Sequence, residues 1–201
     1  FALEEGTRHA PNNISTEAKK DGDEFVLNGN KTFVLDGHSA DLIIVAARTA
    51  GEAADKSGIS LFCLDSNTDG LEVKKVSMLD SRNSAEVNLV DVKISDSNLL
   101  GELGNGFAVI EEVLNRAQVG ISAEMLGNAS QAFEITLNYL KDRKQFGVLI
   151  GTFQALQHRA AIMYSELELT KSSVVGAMNA IDENSNDVAR FASMAKYKAG
   201  E

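Results

Sequence analysis

Gly101-Glu102-Leu103-Gly104-Asn105-Gly106-Phe107 is where this 201-residue chain changes its period. Beyond it, apolar residues recur every three or four positions: Phe107, Ile110, Val113, Leu114, Ala117, Ile121, Met125, Ala129, Phe133, Leu137 and Leu140. That spacing predicts one long amphipathic helix. Before it, short runs of β-branched and aromatic residues alternate with Gly, Asp, Ser and Asn, which predicts strands and tight turns. Phe25-Val26-Leu27 leads into Asn28-Gly29 and then Thr32-Phe33-Val34-Leu35, so a hairpin turning at Asn28-Gly29 is expected, both turn positions favouring positive φ. Further strands are expected over 42–47, 59–64, 71–76, 86–90 and 92–94. The fold class that follows is α+β: an antiparallel β-barrel or sandwich domain over residues 1–100, then an antiparallel helical-bundle domain over 101–201.

The helical half divides further. Gly147 and Gly151 bracket a loop, Thr152 is positioned to cap a second helix over 153–180, and Asn184-Ser185-Asn186-Asp187 offers caps for a third carrying Val188, Phe191, Ala192 and Ala195. Gly120 and Gly127 lie inside the first helix, where they predict close approach of a neighbouring helix. Helices this long need covering, so a fourth helix or another subunit is expected, and a third helix that reaches Glu201 without a loop predicts a chain cut from a longer one.

Composition narrows the function. A net charge of −10 argues against a surface made for nucleic-acid backbones, and no apolar run has the length of a membrane span. Cys63 is the only cysteine, so neither an internal disulfide nor a cysteine metal site can form, and with no export signal a reducing, cytoplasmic setting is expected. His9, His38 and His158 lack metal-ligand spacing, so no metal is expected. No serine sits in a nucleophile elbow, and no glycine-rich phosphate loop opens a helix.

Four stretches then make a specific set. They are Phe1-Ala2-Leu3 with Glu5; Asn28-Gly29-Asn30-Lys31-Thr32-Phe33-Val34-Leu35-Asp36-Gly37; Gly101-Glu102 with Gly104 to Phe107; and Arg143-Lys144-Gln145-Phe146-Gly147 with Phe153-Gln154-Ala155-Leu156-Gln157-His158. In this order they resemble consecutive landmarks of the acyl-CoA dehydrogenase family, over its middle β-domain and most of its C-terminal helical domain. The resemblance implies FAD as cofactor, an acyl-CoA thioester as substrate, and α,β-dehydrogenation by proton abstraction with hydride transfer to FAD. It also implies an electron-transfer-flavoprotein-like acceptor and a homodimer or homotetramer formed through the helical domain.

Residue by residue, the resemblance implies that Arg143, Gln145 and Phe146, joined by Gln154, hold the FAD of a partner subunit. A guanidinium can fork onto two phosphate oxygens, and an aromatic ring suits adenosine. Without the resemblance, Asp142, Arg143 and Lys144 read as a solvated helix end with Phe146 as a core plug. Phe33 and Leu35 fall where the family faces the flavin ring; Leu35 brings no hydroxyl, and a buried strand alternating inward and outward explains both equally well. Glu4 stands where the family has a Thr, and a carboxylate beside reduced flavin disfavours reduction unless it faces solvent or Arg8 or His9 neutralises it.

The usual catalytic Glu is expected beyond Glu201. The alternative base position is Asn115, which cannot accept a proton, with Glu111, Glu112 and Glu124 read as solvent-facing helix charges. Arg116 is placed to contact coenzyme A, or else to form a surface ion pair. A flavin monooxygenase or oxidase of the same fold, and a non-catalytic partner subunit, stay open as alternatives.

Overall fold

The computed structural model describes residues 1–80 and 82–201. Two compact units divide it, Phe1–Glu111 and Glu112–Glu201.

The first unit is built on one sheet with the strand order β5-β6-β2-β1-β3-β4-β7. The strands are β1 Glu17–Asp21, β2 Glu24–Leu35, β3 Leu42–Arg48, β4 Ile59–Asp65, β5 Leu71–Val76, β6 Ser84–Ser95 and β7 Leu99–Leu100. Neighbours run antiparallel except β1 and β3, which meet in parallel at Glu17 and Arg48. Phe25 on β2 and Phe62 on β4 belong to strands separated by two others, yet their ring centroids lie 4.9 Å apart. The sheet therefore folds over on itself, and β2, β3, β4 and β6 close on a core of Phe25, Leu27, Val34, Val45, Phe62, Leu64, Val87 and Val92.

Asn28-Gly29 does not turn the chain. Strand β2 runs straight through it, and the hairpin lies earlier, at Gly22-Asp23 between β1 and β2, with Gly22 at φ +61. The signal misleads because Asn28 serves a double bulge. Its amide donates to Asp91 Oδ1 at 3.0 Å and its carbonyl oxygen accepts the Asp91 N–H at 2.8 Å, while Asp91 sits at φ +50 and the β2–β6 register slips between Leu27 and Gly29. The same bulge joins the two expected strands 86–90 and 92–94 into β6.

In the second unit α1, whose full range is Gly106–Asp142, α2 Gln154–Asp182 and α3 Val188–Gly200 pack around Val119, Val174, Ala177, Ala192 and Ala195. The covered face of α1 keeps Phe107, Ile110 and Phe133 of the expected stripe and departs from it in between: Val119 and Ser122 are buried, whereas Val113 and Ile121 are exposed. Gly120 and Gly127 face open space instead of a neighbouring helix of this chain. Thr152 does not cap α2; its hydroxyl donates to the Leu149 carbonyl, and Phe153 holds the N-cap place without a side-chain bond. Asn184 ends α2 instead of starting α3. It takes φ +50, its N–H reaches the Ile181 carbonyl at 3.1 Å, and the Ser185 N–H reaches that of Ala180 at 2.9 Å, a Schellman closure. Among the described residues no helix is long and apolar enough to cross a membrane.

Candidate functional site

Between α1 and α2 the chain forms a hairpin where a loop is expected. Strands β8 Lys144–Gln145 and β9 Val148–Leu149 pair with Lys144 opposite Leu149 and Gln145 opposite Val148. The two turn residues, Phe146 and Gly147, take φ +53 and +80, the pattern of a type I′ turn. Glycine meets that demand freely. Phenylalanine does not, since a β-carbon in the left-handed region costs about 1–2 kcal/mol. The ring that bears this strain is 91% exposed, touching Phe153 edge-on at a centroid distance of 6.2 Å. It is no core plug, and strain held at an exposed aromatic makes Phe146 a candidate functional position.

Arg143 stands at the base of the hairpin, where its carbonyl accepts the Ile150 N–H at 2.9 Å. Its exposed side chain has no partner among the described residues, nor has the exposed amide of Gln154 at the start of α2. Gln145 donates only to the adjacent Lys144 carbonyl, at 2.7 Å. One guanidinium, two amides and one ring are thus displayed within a dozen residues, a set that fits a phosphate and a flat heterocycle.

Elsewhere on the helical unit, Asn115 is half-buried and Arg116 is tied to Glu112 one turn back, at 2.8 and 3.2 Å. His158 is exposed. Glu111, on the first unit, pairs with Lys56 at 3.2 Å.

The β unit has its own exposed apolar edge. Phe33 is 56% and Leu35 64% exposed, with Val34 buried between them, so of the two readings the structure gives a strand whose Phe33 and Leu35 point outward. The register slip between Lys31 and Val34 puts Phe33 at φ +52, a second strained and displayed phenylalanine. The hydroxyls beside it are occupied: Thr32 donates to the Gly6 carbonyl at 3.1 Å and Ser39 to that of Asp36 at 3.1 Å. This edge fits the face of a flavin ring and brings it no free hydroxyl.

Beneath that edge lies an ion pair that the sequence does not announce. Lys31, fully buried on β2, donates to Glu5 Oε1 at 2.7 Å and to the Leu3 carbonyl at 3.2 Å. Glu5 also accepts the N–H groups of Ser15 at 2.6 Å and Thr16 at 3.0 Å. Burial pushes the Glu5 carboxyl up, but Lys31 and these donors outweigh it and hold the group below its ordinary range. Burial pulls Lys31 down, against the opposing attraction of Glu5. The carboxylate has three donors, which favour its charged form and anchor the pair. Both residues lie within the recognised stretches, but their separation of 26 positions hides the contact.

The Glu4 side chain is engaged within its own loop. Its Oε1 lies 2.6 Å from His9 Nδ1, and its Oε2 accepts the Ala10 N–H at 3.1 Å. Of the two candidates beside this carboxylate, it is His9 and not Arg8 that the structure places in contact with it.

Residues 2–92 match the family model of the acyl-CoA dehydrogenase middle domain, and residues 104–201 match that of the acyl-CoA dehydrogenase C-terminal domain. The chain is 36% identical over 191 residues to the mitochondrial short/branched chain specific acyl-CoA dehydrogenase of Bos taurus, covering 94% of this chain and 44% of that one. It is also 36% identical over 206 residues to the 3-(aryl)acrylate reductase of Clostridium sporogenes, covering 100% of this chain and 54% of the relative. Among solved structures, the butyryl-CoA dehydrogenase of Megasphaera elsdenii superposes with a TM-score of 0.89 at 30% identity, over 99% of this chain and 53% of that chain. The chain therefore spans about half the length of the relatives it matches, and it belongs to the acyl-CoA dehydrogenase family.

Proposed function

We propose that the full-length protein is an FAD-dependent acyl-CoA dehydrogenase that removes hydrogen from the α and β carbons of an acyl-CoA thioester. The observation that carries this reading is the displayed hairpin, with a strained ring at Phe146 and an unpaired guanidinium at Arg143. In this reading Arg143, Gln145, Phe146 and Gln154 hold the dinucleotide of a partner subunit, while Phe33 and Leu35 cover the flavin face. Bound FAD would supply the hydride acceptor. Arg116 would leave Glu112 for coenzyme A. The β unit would face flavin and substrate, and the helical unit would carry oligomerisation and FAD binding. An electron-transfer-flavoprotein-like protein would reoxidise the enzyme. The single, half-buried thiol of Cys63 suits a reducing cytoplasm, which cell fractionation checks.

The test is the absorption spectrum of the full-length protein. Bound flavin that bleaches anaerobically on addition of an acyl-CoA is expected; a colourless protein, or flavin that no acyl-CoA reduces, would sink the proposal. The 201-residue chain alone is expected to bind FAD weakly and to be inactive. Asn115 permits a second reading, a non-catalytic subunit completing a hetero-oligomer with an active homologue: a carboxamide at that position cannot accept the α proton, so the base has to come from elsewhere. Bound flavin that stays oxidised with every acyl-CoA until an active homologue is added would select it.

A further inference from the structure

Strand β2 carries one residue too many where it displays its aromatic ring. Lys31 lies opposite Val87 of β6 and Val34 opposite Ala85, so Thr32 and Phe33 together face the single Glu86. Such a bulge resets the inward and outward alternation of the strand. Lys31 and Val34 are both buried with Val87 and Ala85. Phe33, which an unbroken ladder would set opposite Ala85 and inside, is turned outward instead, at φ +52.

That backbone conformation is unfavourable for a residue with a β-carbon, so both ends of the bulge have to be held. Val34, in the apolar core, holds the far end. Polar bonds to residues 2–6 hold the near end. This segment bridges β3 and β2: the Ala2 N–H donates to the Ile44 carbonyl at 2.8 Å and the Ala2 carbonyl accepts the Ala46 N–H at 3.1 Å, while the Glu4 carbonyl accepts the Thr32 N–H at 2.7 Å. The Leu3 carbonyl and the Glu5 carboxylate take the buried ammonium of Lys31, and Glu5 is fixed in turn by the N–H groups of Ser15 and Thr16.

Stability does not call for a charge at position 31. In the row of Val34 and Val87 an apolar side chain would avoid the desolvation of two ions, and well-packed apolar residues often serve a core as well as a buried pair does. What the pair adds is register: it fixes which residue of β2 meets the 2–6 segment, so the strand cannot slide by one place and relieve Phe33. Resting on the function proposed above, in which the Phe33 edge covers a flavin face, we infer that Lys31 and Glu5 are positioning residues that hold the Phe33 ring outward for its ligand.

The experiment is a double-mutant cycle on the FAD dissociation constant, measured on folded, flavin-stripped full-length protein with Phe33→Ala and Lys31→Met. Phe33→Ala alone should raise the constant at least about fivefold, the loss of one ring contact. Lys31 is sealed from any ligand, yet Lys31→Met should raise it by a similar factor, and the double variant should lie within about twofold of Lys31→Met. Glu5→Gln, which keeps one acceptor oxygen, should repeat the cycle from the other side, and it carries the test where Lys31→Met does not fold. Losses that multiply, or an unchanged constant in both Lys31→Met and Glu5→Gln, overturn the positioning role and leave the proposed function standing. An unchanged constant in Phe33→Ala overturns this inference alone, by removing the ring from the flavin contact. A wild-type protein that takes up no FAD overturns the function and this inference together.

Discussion

The two units bury different things. The β unit closes on large side chains, and its buried charges, Lys31 and Arg48, are both fully engaged. The helical unit gathers round two valines and three alanines, and leaves Ile135, Tyr139, Ile162, Met163, Tyr164 and Tyr197 exposed on its long helices. Between those helices runs a cleft of 590 Å³ lined by Leu126, Phe133, Met163 and Thr170 and edged by Lys198 and Glu201. One unit carries enough non-local burial to specify itself. The other has regular helices whose apolar faces exceed what this chain can cover.

The largest expected effect strikes the stronger unit. Lys31→Met removes the partner of a carboxylate that is mostly out of water, which costs about 3–5 kcal/mol. Urea unfolding of the 201-residue chain should register that loss in the β unit, with helical ellipticity changing later. The acid limb should change as well. Because the folded Glu5 carboxyl is held low, the unfolded chain takes up a proton at higher pH than the folded one. Stability is therefore fully present above the ordinary carboxylate range and drains away as pH falls through it. In Lys31→Met burial dominates, the Glu5 carboxyl rises instead, and that acid-side loss should disappear. A variant with wild-type midpoint and wild-type acid limb would mean that the pair anchors nothing.

Hydrogen exchange tests the contrast without mutation. Amides of β3 and β4, whose residues are buried along nearly their whole length, should exchange at least about a hundredfold more slowly than those of α2, a gap of about 2.7 kcal/mol. Equal protection in the 201-residue chain would remove the distinction between the units.

Arg48 tests how the β unit fixes its irregular parts. Its guanidinium donates to the carbonyls of Asn12, Ile14, Ala53, Asp55 and Ser57 at 2.7–3.2 Å, and to that of Ala50 at 3.5 Å. It thus binds the 10–14 segment to the loop after β3, a task of many donors in a rigid fork that an ammonium group cannot copy. Arg48→Lys should lose about 2 kcal/mol and open the 49–58 loop to proteolysis. A loop that resists cleavage as before would show that its own backbone bonds suffice.

How far these features could be read beforehand follows the range of the interactions. Local period fixes α1, α2 and β3 to β5 nearly to the residue, and the helix–strand divide at Gly104-Asn105-Gly106 survives intact. What failed depends on partners distant in sequence: Asn28 takes its role from Asp91, the stripe on α1 from α2 and α3, and Lys31 from Glu5. Strand β1, with only Ala18 buried, has no alternating apolar signal to find. For the site, residue types pointed to Arg143 and Phe146, but nothing in Lys144-Gln145-Phe146-Gly147-Val148 announces a hairpin, because a phenylalanine is the wrong residue for the turn it makes.

That mismatch gives the smallest stability effect and the sharpest separation of folding from function. Asn tolerates the left-handed region far better than Phe, so Phe146→Asn should stabilise the hairpin by about 0.5–1 kcal/mol. The buried area lost is small, because the ring is 91% exposed. A residue kept for folding would be improved by this change in every respect. A residue kept for a ligand would trade: the full-length Phe146→Asn protein should melt slightly higher and hold flavin more weakly. If stability rises and flavin affinity is untouched, the strain at Phe146 serves neither purpose, and the hairpin loses its place as the carrier of the proposed function; if both fall, the ring packs on something within the complete protein, and the exposure seen in these 201 residues belongs to the uncovered helical unit rather than to a ligand.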